Sequence, residues 1–280
     1  MENKILREFI LRSLREDIGD GDHSSLACIP EKTIGEAKLL IKEKGILAGV
    51  RVAKEVFKLA DKDFKLDIIL EDGTKIVPGD IAFYVKGPQQ SILKLERLIL
   101  NIMQRMSGIA TSTHEYTSKL EGLKTKILDT RKTTPGMRFL EKEAVRIGGG
   151  VNHRMGLFDM IMLKDNHIDF AGGIEKAIMK TQEYLVKNKM NLKVEIEARN
   201  LEDVKTILSI GGIDRIMLDN FNTHDTIMAV KEISGRYETE SSGGITLDTI
   251  RSYAECGVDY ISVGALTHHI KSLDMSLKAL

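Results

Sequence analysis

From Lys126 onward the chain repeats one pattern six times: a short β-rich run ending in polar residues or glycine, then a stretch with helical spacing. The runs are KILDT, FDMIMLKDN, KVEIEAR, RIMLDN, YETESSGG and DYISVG. Parallel neighbours need a crossover long enough to hold a helix, so this alternation predicts βαβ units and a parallel sheet. An α/β barrel and a doubly wound sheet both satisfy it. Either architecture binds ligands at the carboxyl ends of its strands, and those ends carry Asp129, Lys164, Glu197, Asp219, Ser241 and Gly264.

The N-terminal part has a different texture. Ile5, Leu6, Phe9, Ile10 and Leu14 lie at helical spacing and give way to Ile18-Gly19-Asp20-Gly21-Asp22, which predicts an amphipathic helix and a loop. Short strand-like segments around Lys44-Gly45, Asp72-Gly73 and Pro78-Gly79-Asp80 surround the helical VAKEVFKLA, suggesting a small α/β layer. From Ser91, the residues Ile92, Leu95, Leu98, Ile99, Ile102, Met103 and Met106 predict a long helix that stops at Gly108. The expected division is 1–108 for an N-terminal domain and 109–269 for a catalytic domain, with the tail 270–280 placed against the first.

Composition excludes several classes of protein. The 41 basic and 41 acidic side chains balance, unlike the basic excess of a dedicated nucleic-acid binder. Cys28 and Cys256 lie far apart without a CxxC or Cys/His cluster, so neither a disulfide framework nor a structural zinc site is expected. Charges interrupt the N-terminal apolar residues, and no apolar run approaches membrane-spanning length. The expectation is a cytoplasmic protein that binds neither nucleic acid nor membrane.

The densest group of cations lies in DTRKTTPGMR and GGGVNHRMGLFDMIMLKDNHI. Arginine forks match carboxylates and phosphates, and lysine supplies a compact charge. Arg131, Lys132, Arg154 and Lys164, at strand ends or in the glycine-rich connection, are read as anion ligands, with His153 beside them. Arg138, Lys142 and Arg146 are read as solvated surface charges. His167 is left between capping a helix and facing solvent. Gly148-Gly149-Gly150 lacks the dinucleotide-binding spacing and is read as a turn or a close backbone approach. Ser242-Gly243-Gly244 and Gly264 follow successive strands, where exposed backbone N–H groups suit phosphate. Glu195, Glu197 and Asp219 form an acidic counterpart that either binds Mg²⁺ and ribose hydroxyls or makes a charge lattice with Arg199 or Arg215. Two further readings are a Schiff-base aldolase using Lys164 and a non-catalytic protein that binds phosphorylated metabolites.

DTRKTTPGMR, AVRIGGGVNHRMGLFDMIMLKDNHI, EIEARN, MLDN, ESSGGI and GVDYISVGALTH, together with EDIGDGDHSS and LERLILNIMQRMSGIAT, resemble the quinolinate phosphoribosyltransferases. The resemblance implies an N-terminal open α/β sandwich followed by an incomplete, TIM-like α/β barrel of the type II phosphoribosyltransferases. It implies an enzyme that converts quinolinate and phosphoribosyl pyrophosphate to nicotinate mononucleotide, pyrophosphate and carbon dioxide with Mg²⁺, in NAD biosynthesis. It further implies substrate binding by Arg131, Lys132, His153, Arg154 and Lys164, and phosphate binding by Ser242, Gly243, Gly244 and Gly264. Glu197 and Asp219 take the metal and the ribose; with Lys132 and Lys164 they form the catalytic set. The implied assembly is a homodimer, with a hexamer as the larger form, in which Arg97 enters the neighbouring subunit's site. His269, where many relatives have serine, and Ala198-Arg199 depart from the family pattern. Relatives associated with molybdenum transport share the cation motifs and form the alternative within the family.

Overall fold

A computed structural model describes residues 2–60 and 63–280. Met1, within the predicted N-terminal helical segment, lies outside the described residues. Along the chain the elements are α1 (Glu2–Ile18), α2 (His23–Cys28), β1 (Ile34–Ile41), β2 (Gly45–Ile46), α3 (Val50–Ala60), β3 (Lys65–Ile68), β4 (Lys75–Ile76), β5 (Ile81–Pro88) and α4 (Gln89–Ser118). They continue with β6 (Lys126–Leu128), α5 (Arg138–Ile147), β7 (Ile161–Leu163), α6 (Asp165–Ala171), α7 (Ile174–Asn188), β8 (Val194–Ala198), α8 (Leu201–Ile210) and β9 (Arg215–Asp219). The last are α9 (Thr223–Ile233), β10 (Glu238–Ser242), α10 (Ile250–Glu255), β11 (Tyr260–Ser262), α11 (Ala265–His268) and β12 (Met275–Ala279).

Two compact units result. The first takes the chain up to His114, then Pro135–Gly149 and Ile270–Leu280; the second takes Glu115–Thr134 and Gly150–His269. Thus α5, which lies within 109–269 of the expected division, groups with the first unit. So does the tail.

The first unit is built on an antiparallel sheet of order β12-β1-β5-β3. Strand β1 alternates in the manner of a half-buried strand: Ala37, Leu39 and Ile41 are buried while Glu36, Lys38 and Leu40 are not. Phe57 of α3 meets the Phe83 ring edge-on at 6.1 Å. The start of α3 is capped from a distance, because Asp72 accepts the Val50 N–H at 2.8 Å and the Arg51 N–H at 3.2 Å.

Helix α4 does not stop at Gly108 but runs on to Ser118. Tertiary packing requires the glycine: a Cβ there would collide with the Lys271 carbonyl oxygen and lie 3.1 Å from Ser272 Cα. Gly148 follows the same logic, since a Cβ would strike the Ala110 carbonyl oxygen. Lys142, expected on the surface, is fully buried on α5 beside Glu141, which accepts hydrogen bonds from Arg105. Arg146 is exposed and Arg138 partly so.

All six predicted β runs of the second unit are strands, and all pair in parallel in the order β6-β11-β10-β9-β8-β7. The first strand therefore lies beside the last, as in an α/β barrel, while β6 and β7 form no ladder with each other. An isolated bridge from Leu128 to Val151 extends the β6 edge. Every residue of β8 is buried. Val194, Ile196 and Ala198 supply apolar core, while Glu195 and Glu197 project to the other face and are buried too.

Candidate active site

The carboxyl ends of the parallel strands surround a cavity of about 800 Å³. Arg131, Lys132, His153, Arg154, Lys164, Glu197, Asp219, Ser242, Gly243, Gly244 and Gly264 all line it. Arg97 does not; it lies on α4 with its side chain 69% exposed and Glu96 3.6 Å away.

The cationic wall is held from behind. Asp129 is fully buried and accepts the His153 backbone N–H at 2.8 Å and the Asn152 amide at 2.6 Å. Arg154 is only 9% exposed, and its Nη1 donates to the Met160 carbonyl. Burial lowers its pKa, and the nearby Arg131 lowers it further. Like charges pressed together in this way form a preorganised site for a multiply charged anion. Lys132 is anchored through its backbone, whose N–H donates to Thr130 Oγ1 and whose carbonyl accepts from Thr267 Oγ1. His167 caps α6 by accepting the Lys164 N–H at 3.0 Å and is also exposed, so it both caps the helix and faces solvent.

The acidic residues separate into two layers. Glu197, in the upper one, accepts Lys164 Nζ at 2.7 Å and the Asp165 N–H at 2.9 Å. Asp219 accepts the Asn220 side-chain amide at 2.8 Å. Burial raises the Asp219 pKa, and the Glu197 charge adds to the rise. Two repelling carboxylates on one cavity, one of them with an oxygen turned to a single amide, fit Mg²⁺. That ion takes one or two carboxylates and completes its shell with water and phosphate oxygens.

Glu195 belongs to the lower layer and has no exposed surface. It pairs with Arg215 at 3.8 Å, while Arg215 Nη1 donates to Glu240 at 3.0 Å. The lattice with Arg215 is therefore real, whereas Arg199 binds Asp169 and Asp203 instead. His153 closes the layer, with Nε2 at 3.1 Å from Glu195 and 3.4 Å from Glu240. Burial opposes a charge on this ring, but the two glutamates outweigh it and raise the pKa to about 9. Their pull meets local resistance, because Nδ1 accepts the Arg154 N–H at 2.7 Å. In this conformer the neutral form of the ring carries its proton on Nε2, and the second proton that the glutamates favour displaces the Arg154 N–H from Nδ1. Burial and Glu240 push Glu195 up to about 7, so the cluster shares its protons and titrates as a unit.

The glycine turns are shaped by close approach. Gly243 and Gly244 have φ of +99° and +61°, and a Cβ on Gly243 would overlap the Asn220 side chain. A Cβ on Gly264 would come within 2.9 Å of His268 Nε2 and 3.2 Å of Lys132 Cδ. The helices that follow these turns are short. α10 has six residues and begins only at Ile250, and α11 has four. Backbone N–H groups and open space, rather than helix ends, are what these turns offer a phosphate.

Ser241, the strand end expected from sequence, is buried, and Ser242 faces the cavity instead. Sequence reasoning missed Glu240, Met162, Met217 and Ser262, which also line it. Each stands two residues before an identified strand-end position, so period-two alternation places it on the same face one layer deeper. His268, the last residue of the four-residue α11, and Thr246, on a connection, carry no such signal.

Residues 22–107 match the N-terminal domain of the quinolinate phosphoribosyl transferase family, and residues 109–278 match its C-terminal domain. A tobacco (Nicotiana tabacum) protein named mitochondrial quinolinate phosphoribosyltransferase [decarboxylating] 2b is 44% identical, over 98% of this chain and 82% of its own length. A Bacillus subtilis protein named as a probable carboxylating nicotinate-nucleotide pyrophosphorylase is 42% identical, over 98% of this chain and 92% of its own. The crystal structure of NadC from Streptococcus pyogenes superposes with a TM-score of 0.92 at 38% identity, covering 98% of this chain and 97% of that one. The nicotinate-nucleotide pyrophosphorylase of Francisella tularensis gives 0.92 at 41% identity, covering 99% and 97%. With both of its domains matched in order along nearly the whole length, the chain belongs to the quinolinate phosphoribosyltransferase family.

Proposed function

We propose that this chain transfers the phosphoribosyl group of phosphoribosyl pyrophosphate to quinolinate with loss of carbon dioxide, giving nicotinate mononucleotide and pyrophosphate. One observation carries the reading. A single cavity has Arg131, Lys132, Arg154 and Lys164 at its wall, two carboxylates at its edge and two glycine turns. That is what a pyridine dicarboxylate and a phosphorylated ribosyl pyrophosphate require together.

The pyridine nitrogen attacks the anomeric carbon as the bond from that carbon to pyrophosphate breaks. The quaternised ring then withdraws electrons from the adjacent carbon. Its bond to the carboxylate breaks, carbon dioxide leaves, and the electron pair left on the ring carbon takes up a proton. The ring is its own electron sink, so the protein's task is positioning and charge stabilisation. Arg131 and Arg154 receive the carboxylates, and Lys132 faces the departing pyrophosphate. Lys164, aimed by Glu197 at 2.7 Å, adds charge beside the reacting centre. The turns at Ser242–Gly244 and Gly264 receive the 5′-phosphate. Asp219 and Glu197 are the residues that would hold Mg²⁺; bound there, the ion supplies Lewis-acid stabilisation of pyrophosphate oxygens.

The purified protein with quinolinate, phosphoribosyl pyrophosphate and Mg²⁺ is expected to release carbon dioxide and form nicotinate mononucleotide in equal amounts. Absence of both products overturns the proposal. The exposed Arg97 has only a neighbouring glutamate at 3.6 Å as its ion-pair partner, which suits a role in a second subunit's site. Mixing Arg97→Ala and Arg131→Ala chains is then expected to restore part of the activity through one intact composite site, and failure to restore any counts against a shared site. Among the described residues no helix is long and apolar enough to cross a membrane. Cell fractionation decides between the cytoplasm and the organelle carried in the tobacco relative's name.

A further inference from the structure

Strands β7 to β10 turn one face toward the cavity, and that face is polar. It carries glutamates on β8 and β10, Arg215 and Asp219 on β9, and Ser242 at the end of β10. Among the described residues, Met162 and Met217 are the only apolar side chains on that face of these four strands, and both line the cavity. In register they flank β8: Met162 lies opposite Glu195 and Met217 opposite Glu197, with Glu240 on the far side of Met217. The core does not account for them, because Val194, Ile196, Ile216 and Leu218 fill it from the other face. Two unbranched, polarisable side chains are thus set among charges, at the floor of a site built for anions.

Their depth connects them to the reaction. Met162 stands two residues before Lys164 and Met217 two before Asp219, so each lies one layer below a residue at the reacting centre. Arg131 and Arg154 hold the two carboxylates of the proposed substrate. A rigid ring held by two adjacent groups still turns about the line joining them, and the turn swings its nitrogen toward or away from the anomeric carbon. A cavity of about 800 Å³ leaves room for that motion. A contact on the flat face of the ring removes it.

We propose that Met162 and Met217 are specificity-determining residues that seat the flat face of the pyridine ring, so that the site selects a planar aromatic dicarboxylate over a puckered, saturated one. The inference rests on the proposed quinolinate reaction for the ligand it names. A thioether beside an aromatic ring is a favourable contact, and one such contact corresponds to about two- to tenfold in affinity. A saturated ring keeps both carboxylates but presents axial hydrogens in place of a π face.

The test is calorimetry on the full-length protein with two probes. Benzene-1,2-dicarboxylate keeps the carboxylates and the flat ring but has no nitrogen to react; cis-cyclohexane-1,2-dicarboxylate keeps the carboxylates on a puckered ring. Wild type is expected to bind the aromatic probe about tenfold more tightly or better, and the double variant Met162→Ala with Met217→Ala to cut that preference to about threefold or less. Equal binding of the two probes by wild type, no binding of the aromatic one, or a preference that survives both substitutions overturns the inference. In the carbon dioxide assay each single variant is expected to raise the quinolinate KM by about fivefold or more, with the phosphoribosyl pyrophosphate KM moved by less than about twofold. Equal rises for both substrates, or none, also overturn it. If the double variant does not fold, the wild-type preference and the single variants decide by the same criteria. If wild-type protein releases no carbon dioxide from quinolinate, the proposed reaction fails, while the calorimetry still reports on the methionine floor.

Discussion

The two sheets use the same alternation of residues to opposite ends. In the first unit β1 reads IGEAKLLI: Ala37, Leu39 and Ile41 fill a core, and Glu36 pairs across the strands with the exposed Lys86. In the second unit β8 reads VEIEA, just as alternating, yet its glutamates are as buried as its valine and isoleucine. One sheet turns its charges to water and the other turns them inward. Alternation therefore reports that a strand has two faces, and says nothing about whether the polar face meets solvent or lines a site.

The contrast can be broken by removing one charge from each sheet. Arg215→Met strands Glu195 and Glu240 without their cation and is expected to lower stability by about 3–5 kcal/mol. Lys86→Met breaks an exposed pair and should cost less than about 1 kcal/mol. Urea denaturation of both variants measures this, and similar losses would erase the distinction. At the cavity, Lys164→Met removes the partner of Glu197 and a charge beside the reacting centre. It is expected to lower kcat/KM by about 100-fold or more in the carbon dioxide assay, with a smaller loss of stability than Arg215→Met because Lys164 is 46% exposed and Glu197 keeps the Asp165 N–H. An unchanged rate would place the chemistry elsewhere.

Gly108→Ala sharpens the same comparison on the apolar side. The added methyl meets the Lys271 carbonyl, and a loss of about 1–3 kcal/mol is expected from calorimetry. The smallest effect concerns Asp72. Burial raises its pKa, against the hydrogen bonds from Val50 and Arg51. A folded pKa above the unfolded one means that the folded state binds the proton more tightly. The group's contribution is then greatest below the unfolded value of 3.8 and declines as pH rises through the raised one. Asp72→Asn stays neutral, so its melting temperature relative to wild type should improve from pH 3.5 to pH 7. A gap that widens over that range would reverse the sign.

The catalytic half was the more legible. Six strands separated by helical stretches can pair in parallel in few ways, and their polar ends name the residues that meet above the sheet. The layer beneath was written in the same alternation but needs one more step, counting back two residues from each strand end. Lys142 and Gly108 were read wrongly for a common reason. A charge in a helical stretch looks like surface, and a glycine after an apolar run looks like a helix end, until tertiary packing supplies a close neighbour. His268 reaches the cavity from the end of α11, a helix of four residues that is too short to show a period.

Strand β12 bears on how the molecule comes into being. It pairs with β1 from Ala37↔Ala279 to Ile41↔Met275, so the sheet begun by residue 34 lacks one strand until residue 279 has been synthesised. The parallel sheet has all its strands in hand by residue 262. On the ribosome, then, the half that holds the cavity can pair its strands first, while the half begun earlier waits with a row of unpaired backbone groups along β1. Any interruption of synthesis between these two points leaves an open strand edge, and gives a cell reason to dispose of the fragment.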